Sequence, residues 1–224
     1  MSRDRAMLGA PVHERIANDA YHTLDPRCIG HLDKVWPLKG RPFIEPMAGY
    51  GQLIWDIEGC GGILQYASDL YVYPDQDSRI VTGVNLFEPR HNWAEMANTM
   101  SIITNPPYSL LRPTVHHLLE VAPGAWLAIL CRSSQLHVQA MQPMLTGGRL
   151  WGVAPLPFRP FWHHRSGEKS EGPRHEYAWF IWSPVWAISG PPRLLFVAPP
   201  SKPDPAYQSP LSPTGQWWRD LPKT

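Results

Sequence analysis

Ser101-Ile102-Ile103-Thr104-Asn105-Pro106-Pro107-Tyr108 is the stretch whose reading decides the fold. Its first four residues form a short apolar run, long enough for a buried strand. Downstream, Ser109 to Val121 carries apolar residues at helical spacing. Asn105 to Tyr108 is therefore predicted to be the turn at the carboxyl end of a strand, the rim where open α/β sheets bind ligands. Two consecutive prolines fix φ and offer no backbone donors. They leave a stiff edge of carbonyl acceptors, with an amide side chain before it and an aromatic face after it. That combination suits a planar group carrying an amino group: the carbonyls and the Asn oxygen accept from the NH2, and the ring stacks on the plane. A proline turn with a cap-like Asn and a packing Tyr accounts for the same four residues without any chemistry. The rest of the chain has to choose between the two.

Working outward, strands alternate with helices. Cys28 to Trp36 reads as a short helix ended by Pro37, after a first helix around Pro11 to Asp19. Arg41 to Glu45 is a short buried strand, and Gln52 to Glu58 a helix with Leu53, Ile54 and Ile57 on one face. Glycines 59, 61 and 62 end it. Ile63 to Ala67 is the next strand, with Asp69 just past its end. Ile80 to Phe87 is a weaker extended segment, and Trp93 to Asn98 a possible helix. Ala125 to Cys131 is almost wholly apolar, as a strand covered on both faces must be. A helix is expected from Ser133 to Leu145. This alternation predicts an α/β fold with a mainly parallel, doubly wound sheet. Arg149 to Leu156 and His175 to Trp182 then read as two strands without a helix between them, an antiparallel pair at one edge. Arg193 to Val197 adds a last short strand. Residues 1–198 make one domain, with 1–37 as an N-terminal helical segment. Residues 157–174 are a connection too long to be a simple turn, and 199–224 are a Pro-rich tail.

The chain has 224 residues, of which 43% are hydrophobic, enough for one domain with a sizeable core. Its net charge is only +1, so any nucleic-acid surface must be a local patch. The 3 cysteines, Cys28, Cys60 and Cys131, show neither zinc spacing nor a disulfide framework. No apolar run approaches membrane-spanning length. The expectation is a soluble protein of a reducing cytoplasm, with no metal and no membrane contact.

Glu45-Pro46-Met47-Ala48-Gly49-Tyr50-Gly51 follows the first sheet strand and opens the first sheet helix. Glycines let the backbone turn sharply and approach a ligand, and the free N–H groups of a helix start favour a negative one. A structural turn would use the same residues. The third glycine of a dinucleotide fingerprint is missing, with Ile54 in its place. Asp69 stands where it could accept from two ribose hydroxyls, or serve as a cap.

The order of these elements carries a resemblance. An acidic-Gly-x-Gly turn, an acidic residue after the next strand and Asn-Pro-Pro-Tyr after a later one resemble the S-adenosylmethionine-dependent amino-group methyltransferases. The match is closest to DNA adenine-N6 methyltransferases of the small phage-associated type. It covers roughly residues 20 to 183, in the motif order called gamma, and implies a Rossmann-like methyltransferase fold. Glu45, Pro46, Ala48, Gly49 and Gly51 match the family's cofactor loop, and Asp69 with Leu70 its ribose-binding acid. Tyr21 and Thr23 resemble an N-terminal element that touches the methionine end of the cofactor, with Leu24 where the family usually has Pro. Asn85 and Leu86 stand where the family commonly has an acidic residue holding the cofactor's adenine amino group. Asn still accepts through its carbonyl oxygen. His175 and Tyr177 to Trp182 resemble the late strand of phage members.

The resemblance implies a role for each part of the catalytic motif, Asn105, Pro106, Pro107 and Tyr108. The adenine N6 lone pair is delocalised into the ring. Asn105 and the Pro106 carbonyl would accept its two hydrogens and expose it, so that catalysis is mostly positioning and electrostatics. The base must be unpaired or flipped out of a duplex, at a cost of roughly a few kcal/mol, and Tyr108 would stack on it. Arg159, Phe161, Trp162, His163, Arg165 and His175, with Lys169 and Arg174, mix cations and aromatics as a DNA-contacting loop would. A solvated loop with a few packed aromatics is the plainer account. The motif also suits transfer to RNA adenine or to a protein glutamine, and a non-catalytic DNA- or protein-binding member of the fold would retain much of this pattern. The expected localisation is the cytoplasm of a bacterial or phage-infected cell.

Overall fold

The computed structural model describes residues 22–23, 25–88, 95, 97–160, 162–163, 175–187 and 190–198. The expected helix at Pro11 to Asp19, most of Trp93 to Asn98, the centre of the 157–174 connection and the tail lie outside them.

The first described elements are β1 (His22–Thr23), α1 (Arg27–Val35), β2 (Pro42–Glu45), α2 (Gln52–Gly59), β3 (Ile63–Asp69) and β4 (Val81–Thr82). There follow β5 (Ser101–Thr104), α3 (Leu111–Val121), β6 (Trp126–Arg132), α4 (Gln142–Thr146), β7 (Leu150–Pro155), β8 (Trp162–His163), β9 (Tyr177–Trp182) and β10 (Arg193–Leu194). Eight strands form one sheet in the order β10-β7-β9-β6-β5-β2-β3-β4. From β6 to β4 every neighbouring pair is parallel. This is the Rossmann-like, mainly parallel and doubly wound sheet that the alternation of elements predicts.

Alternation along each central strand explains why helices cover both faces. Phe43, Ile103, Ala128 and Leu130 point to one face, where they pack with Ile29 and Leu32 of α1 and Ile54 and Ile57 of α2. Ile44, Ile102, Leu127 and Ile129 point to the other, against Leu111, Val115 and Leu118 of α3 and Leu145 of α4. A parallel strand carrying apolar side chains on both faces has no solvated side.

Two details differ from the sequence expectation. The antiparallel pair forms toward one end of the sheet, but β9 is inserted between β6 and β7 and pairs with both. β10 then covers the outer side of β7 in parallel. All six residues of β9 are buried, and an edge position would have left one flank of this apolar run unpaired. The helix expected from Ser133 to Leu145 is broken into two 3₁₀ turns, Ser133–His137 and Gln139–Met141, before α4. Pro143 is the reason. It has no N–H to give to residue 139, and its ring would collide with that carbonyl, so it is tolerated only in the first turn of α4.

Trp179 of β9 is wholly buried and its Nε1 donates to the Cys28 carbonyl of α1 at 2.8 Å. Trp179→Ala should cost about 3–5 kcal/mol in urea denaturation. Trp186, 74% exposed, should change stability by less than about 0.5 kcal/mol when replaced by Ala.

Candidate active site

Four parallel strands end on one rim, at Glu45, Asp69, Thr104 and Arg132. The chain leaves β2 for β3 on one side and returns to β5 on the other, so the crevice between β2 and β5 is the switch point of the sheet. The glycine turn and the Asn-Pro-Pro-Tyr turn flank it.

The glycine turn is pinned to β3. The Gly49 N–H donates to Asp69 Oδ2 at 2.8 Å, and the Tyr71 N–H to Oδ1 at 2.9 Å. Burial raises the Asp69 pKa, while the amides of Tyr71, Gly49 and Leu70 hold it down. Each Asp69 oxygen accepts one of these bonds and keeps acceptor capacity. Gly49 and Gly51 both have positive φ, 56° and 97°. At Gly51 a Cβ would also lie 2.8 Å from the Cβ of Asp77. Packing against the 77–80 segment therefore demands glycine there, whatever the turn binds. Pro46 is buried, and its carbonyl accepts from Ser68 Oγ at 3.4 Å. Just past Asp69, Leu70, Tyr71 and Val72 are exposed.

Glu45 is fully buried. Its Oε1 accepts from the Met47 N–H at 3.3 Å, and its Oε2 has no hydrogen-bond partner among the described residues. Burial pushes its pKa up to about 8, against the pull of the nearby Thr104 hydroxyl and the Met47 amide.

In the second turn, Asn105 Nδ2 donates to Thr23 Oγ1 at 2.9 Å. This bond joins the Asn105 amide to the N-terminal strand, 82 residues away in sequence. β1 in turn pairs with β8, Thr23 opposite Trp162 and His22 opposite His163. The N-terminal strand thus bonds to Asn105 at Thr23 and pairs with Trp162–His163 in the 157–174 connection. The Pro107 carbonyl accepts from the Leu110 N–H at 2.9 Å. Among the described residues, the Pro106 carbonyl is the prolyl acceptor left on this edge.

The Tyr108 hydroxyl shares a hydrogen bond with the Tyr177 hydroxyl, and the Arg132 guanidinium lies 4.3 Å above the Tyr108 ring. Burial, then Tyr177, raises the Tyr108 pKa, so the phenol stays protonated. Arg132 and Tyr177 are cross-strand partners. Sequence reading missed both. The available signal was positional: Arg132 ends an otherwise apolar strand, on the rim where charge has a use.

Thr23, Met47, Ala48, Tyr50, Gln52, Leu53 and Asn105 line a cleft between the turns, with a cavity of about 30 Å³. Tyr50 forms part of its wall, with its ring 5.0 Å from that of Tyr73. Asn85 and Leu86 do not line it. The Asn85 side-chain Oδ1 accepts from the Phe87 N–H at 3.1 Å in a local turn, and Leu86 packs in the core near Ile44 and Leu111. Arg159 is exposed and pairs with Glu176 at 3.1 Å, and His175 is exposed. Tyr21, Phe161 and Arg165 lie outside the described residues, and Trp162 and His163 are described as strand backbone. Among the described residues there is no group of three or more metal-ligating side chains. No helix among them is long and apolar enough to cross a membrane.

No protein-family model matches the sequence, and no characterised protein sequence matches it. Solved structures are similar to it over part of their length. One is the methyltransferase subunit of a type I restriction-modification system from Streptococcus thermophilus, at 10% identity over 75% of this chain and 46% of that one, TM-score 0.48. The M protein of the type I restriction enzyme EcoKI is similar at 12% identity, over 92% and 54%, TM-score 0.49. Precorrin-6y C5,15-methyltransferase from Geobacter metallireducens matches at 11% identity, over 69% and 86%, TM-score 0.46. The chain spans about half the length of the two restriction subunits. At these identities and TM-scores the likeness carries no argument about substrate or reaction.

The buried carboxyls give a testable pH dependence. Glu45 and Asp56, the latter also pushed up to about 8 by burial, each hold in the folded chain a proton that the unfolded chain has released. Stability from such groups falls as pH rises, up to the folded pKa. His31 acts oppositely, burial lowering its pKa from 6.5 to about 4, so it matters only below 6.5. The melting temperature should therefore fall between about pH 6.5 and 8. Glu45→Gln and Asp56→Asn should each flatten part of that fall in thermal scans monitored by circular dichroism. A flat wild-type profile would mean that both carboxyls are already ionised.

Proposed function

We propose that the chain transfers a methyl group from S-adenosyl-L-methionine to the N6 amino group of adenine in DNA. The observation that supports this most is the placement of the Asn105-Pro106-Pro107-Tyr108 turn across the switch crevice from the Glu45–Gly51 turn, with the Asn105 amide oriented by Thr23.

The residues present fit such a cofactor. Glu45 offers a buried oxygen without a partner among the described residues. Asp69 keeps acceptor capacity for hydroxyls, and exposed Leu70 beside it offers apolar surface. Thr23, Ala48 and Asn105 line the cleft between the turns. When bound, the cofactor supplies an activated methyl group. A cavity of about 30 Å³ requires the wall, Tyr50 above all, to move for a nucleoside to enter.

The chain's own part is to hold the amine. With its Nδ2 directed at Thr23, Asn105 presents its carbonyl oxygen at the other end of the planar amide. That oxygen and the Pro106 carbonyl accept the two hydrogens of the amino group and draw its lone pair out of conjugation. The base stacks on the face of Tyr108 away from Arg132, whose charge lies over the opposite face. Tyr177 fixes the ring through its hydroxyl. Arg159 and the rest of the 157–174 connection contact the phosphates.

The narrow cleft is the one observation favouring a binding-only member of the fold. Calorimetry with S-adenosylmethionine separates the two, since a binding module would show no heat.

If Asn105 acts on the amino nitrogen, its contribution is larger in the transition state than in the ground state. Asn105→Ala should lower single-turnover methylation of an adenine-containing duplex by about 10²-fold or more, with cofactor and DNA affinity within a few-fold of wild type. Wild-type rates in this variant would sink the catalytic assignment. Tyr108→Ala should impair both base binding and rate, and Tyr108→Phe should recover much of the loss. Equal activity on RNA or on a glutamine peptide would redirect the substrate reading.

Neutralising Arg159, Arg165 and Lys169 together should weaken DNA binding and reduce its salt slope by up to about 2–3, leaving cofactor affinity unchanged. The ion pair of Arg159 with Glu176 should make its share the smallest. An unchanged salt slope would assign this loop to another task.

A further inference from the structure

The opposite rim of the sheet carries a larger cavity, of about 370 Å³, inside the roughly 300–1,000 Å³ range of small-molecule sites. It opens where β2, β5 and β6 begin. Lys39, Arg41, Trp126 and Trp186 line it, with backbone at Gly40 and Gly124, and no carboxylate is among its described walls.

Trp186 and Lys39 stand clear of the core, while Arg41 and Trp126 are fixed by their neighbours. Trp186 is 74% exposed, on a 3₁₀ turn outside the core. Lys39 is exposed and forms no ion pair among the described residues. Arg41 is held in place from three sides. Its guanidinium lies 3.8 Å over the Trp36 ring, its Nε donates to the Pro37 carbonyl at 3.1 Å and its Nη1 to Ser101 Oγ at 3.3 Å. Its Nη2 has no partner among the described residues. Trp126 stands between two other indoles, 5.7 Å from Trp36 and 5.8 Å edge-on from Trp151. Arg193 lies 5.2 Å over Trp151 at the far end of this row. The rim thus presents aromatic planes beside two cations that have no carboxylate partner among the described residues.

Two cations without an acid attract an anion, and Arg suits the oxygens of a phosphate. Indole faces beside them suit a planar ring. We propose that this cavity binds a nucleoside phosphate, with the phosphate between Lys39 and Arg41 and the base against Trp126 and Trp186. A free nucleotide and a nucleotide within an unpaired strand share this chemistry. The site lies on the rim away from Glu45, Asp69 and Asn105, and it stands whether or not the methyl-transfer reading does.

The test is calorimetric titration of the full chain, without S-adenosylmethionine, with AMP, adenosine, inorganic phosphate and a short single-stranded oligonucleotide. AMP should bind about tenfold or more tightly than adenosine or phosphate alone. Lys39→Ala and Trp186→Ala should each weaken AMP binding by about tenfold with unchanged melting temperature, and Asn105→Ala should leave it at the wild-type value. An oligonucleotide that binds more tightly than AMP, and loses affinity in the same two variants, identifies a strand as the source. One that binds no better identifies the free nucleotide. The proposal is overturned if AMP and the oligonucleotide fail to bind at millimolar concentration. It is equally overturned if both bind the Lys39→Ala and Trp186→Ala variants as tightly as wild type.

Discussion

A parallel strand cannot be joined to its neighbour by a tight turn, because the chain must first return to the starting edge. In this protein that constraint shapes everything else. Each crossover leaves a strand at the same rim, so the turns after β2, β3, β5 and β6 gather there. Residues far apart in sequence, Glu45, Asp69, Asn105 and Arg132, become neighbours on one edge without any direct attraction between them. The crossovers themselves supply the helices that bury Phe43 and Ile103 on one face and Ile44 and Ile102 on the other.

On that rim, rigidity comes from backbone amides more than from ion pairs. The Asp69 carboxylate ties down the Gly49 turn by accepting its N–H. The Gly51 conformation is set by the crowding of Asp77, which is itself gripped by Trp55 Nε1 at 2.7 Å and by Arg79. A glycine turn shaped in this way is preorganised before any ligand arrives. The second turn is stiffened by its two prolines and by the Thr23–Asn105 bond. The Tyr108, Tyr177 and Arg132 cluster extends the same principle, with a ring held through its hydroxyl and capped by a cation.

Charge is distributed between the rims differently. The first holds buried acids, Glu45 and Asp69, whose pKa values burial raises. The amino-end rim holds Lys39, and Arg41 over the Trp36 indole. With a net charge of +1, no global field favours polyanions, and any preference for one must come from such local arrangements.

Much of this was legible in the residues. Apolar runs such as Ile102-Ile103 and Ala128-Ile129-Leu130 dictate strands buried on both faces, and prolines and glycines dictate the turns. These are local effects, decided within a few residues by sterics and by the cost of exposing apolar surface. The turn motifs at Glu45–Gly51 and Asn105–Tyr108 were legible for the same reason. The insertion of β9 between β6 and β7, the Thr23–Asn105 bond, the Arg132 cap on Tyr108 and the amino-end cavity were not. Each depends on which distant segments the sheet order brings within a few ångströms. Strand order follows from the summed burial of the whole core, as in β9, where six apolar residues demand a partner on both flanks. No spacing along the chain encodes that sum. Sequence by itself determined the elements and their chemistry at each strand end, and the tertiary structure alone decided which ends meet.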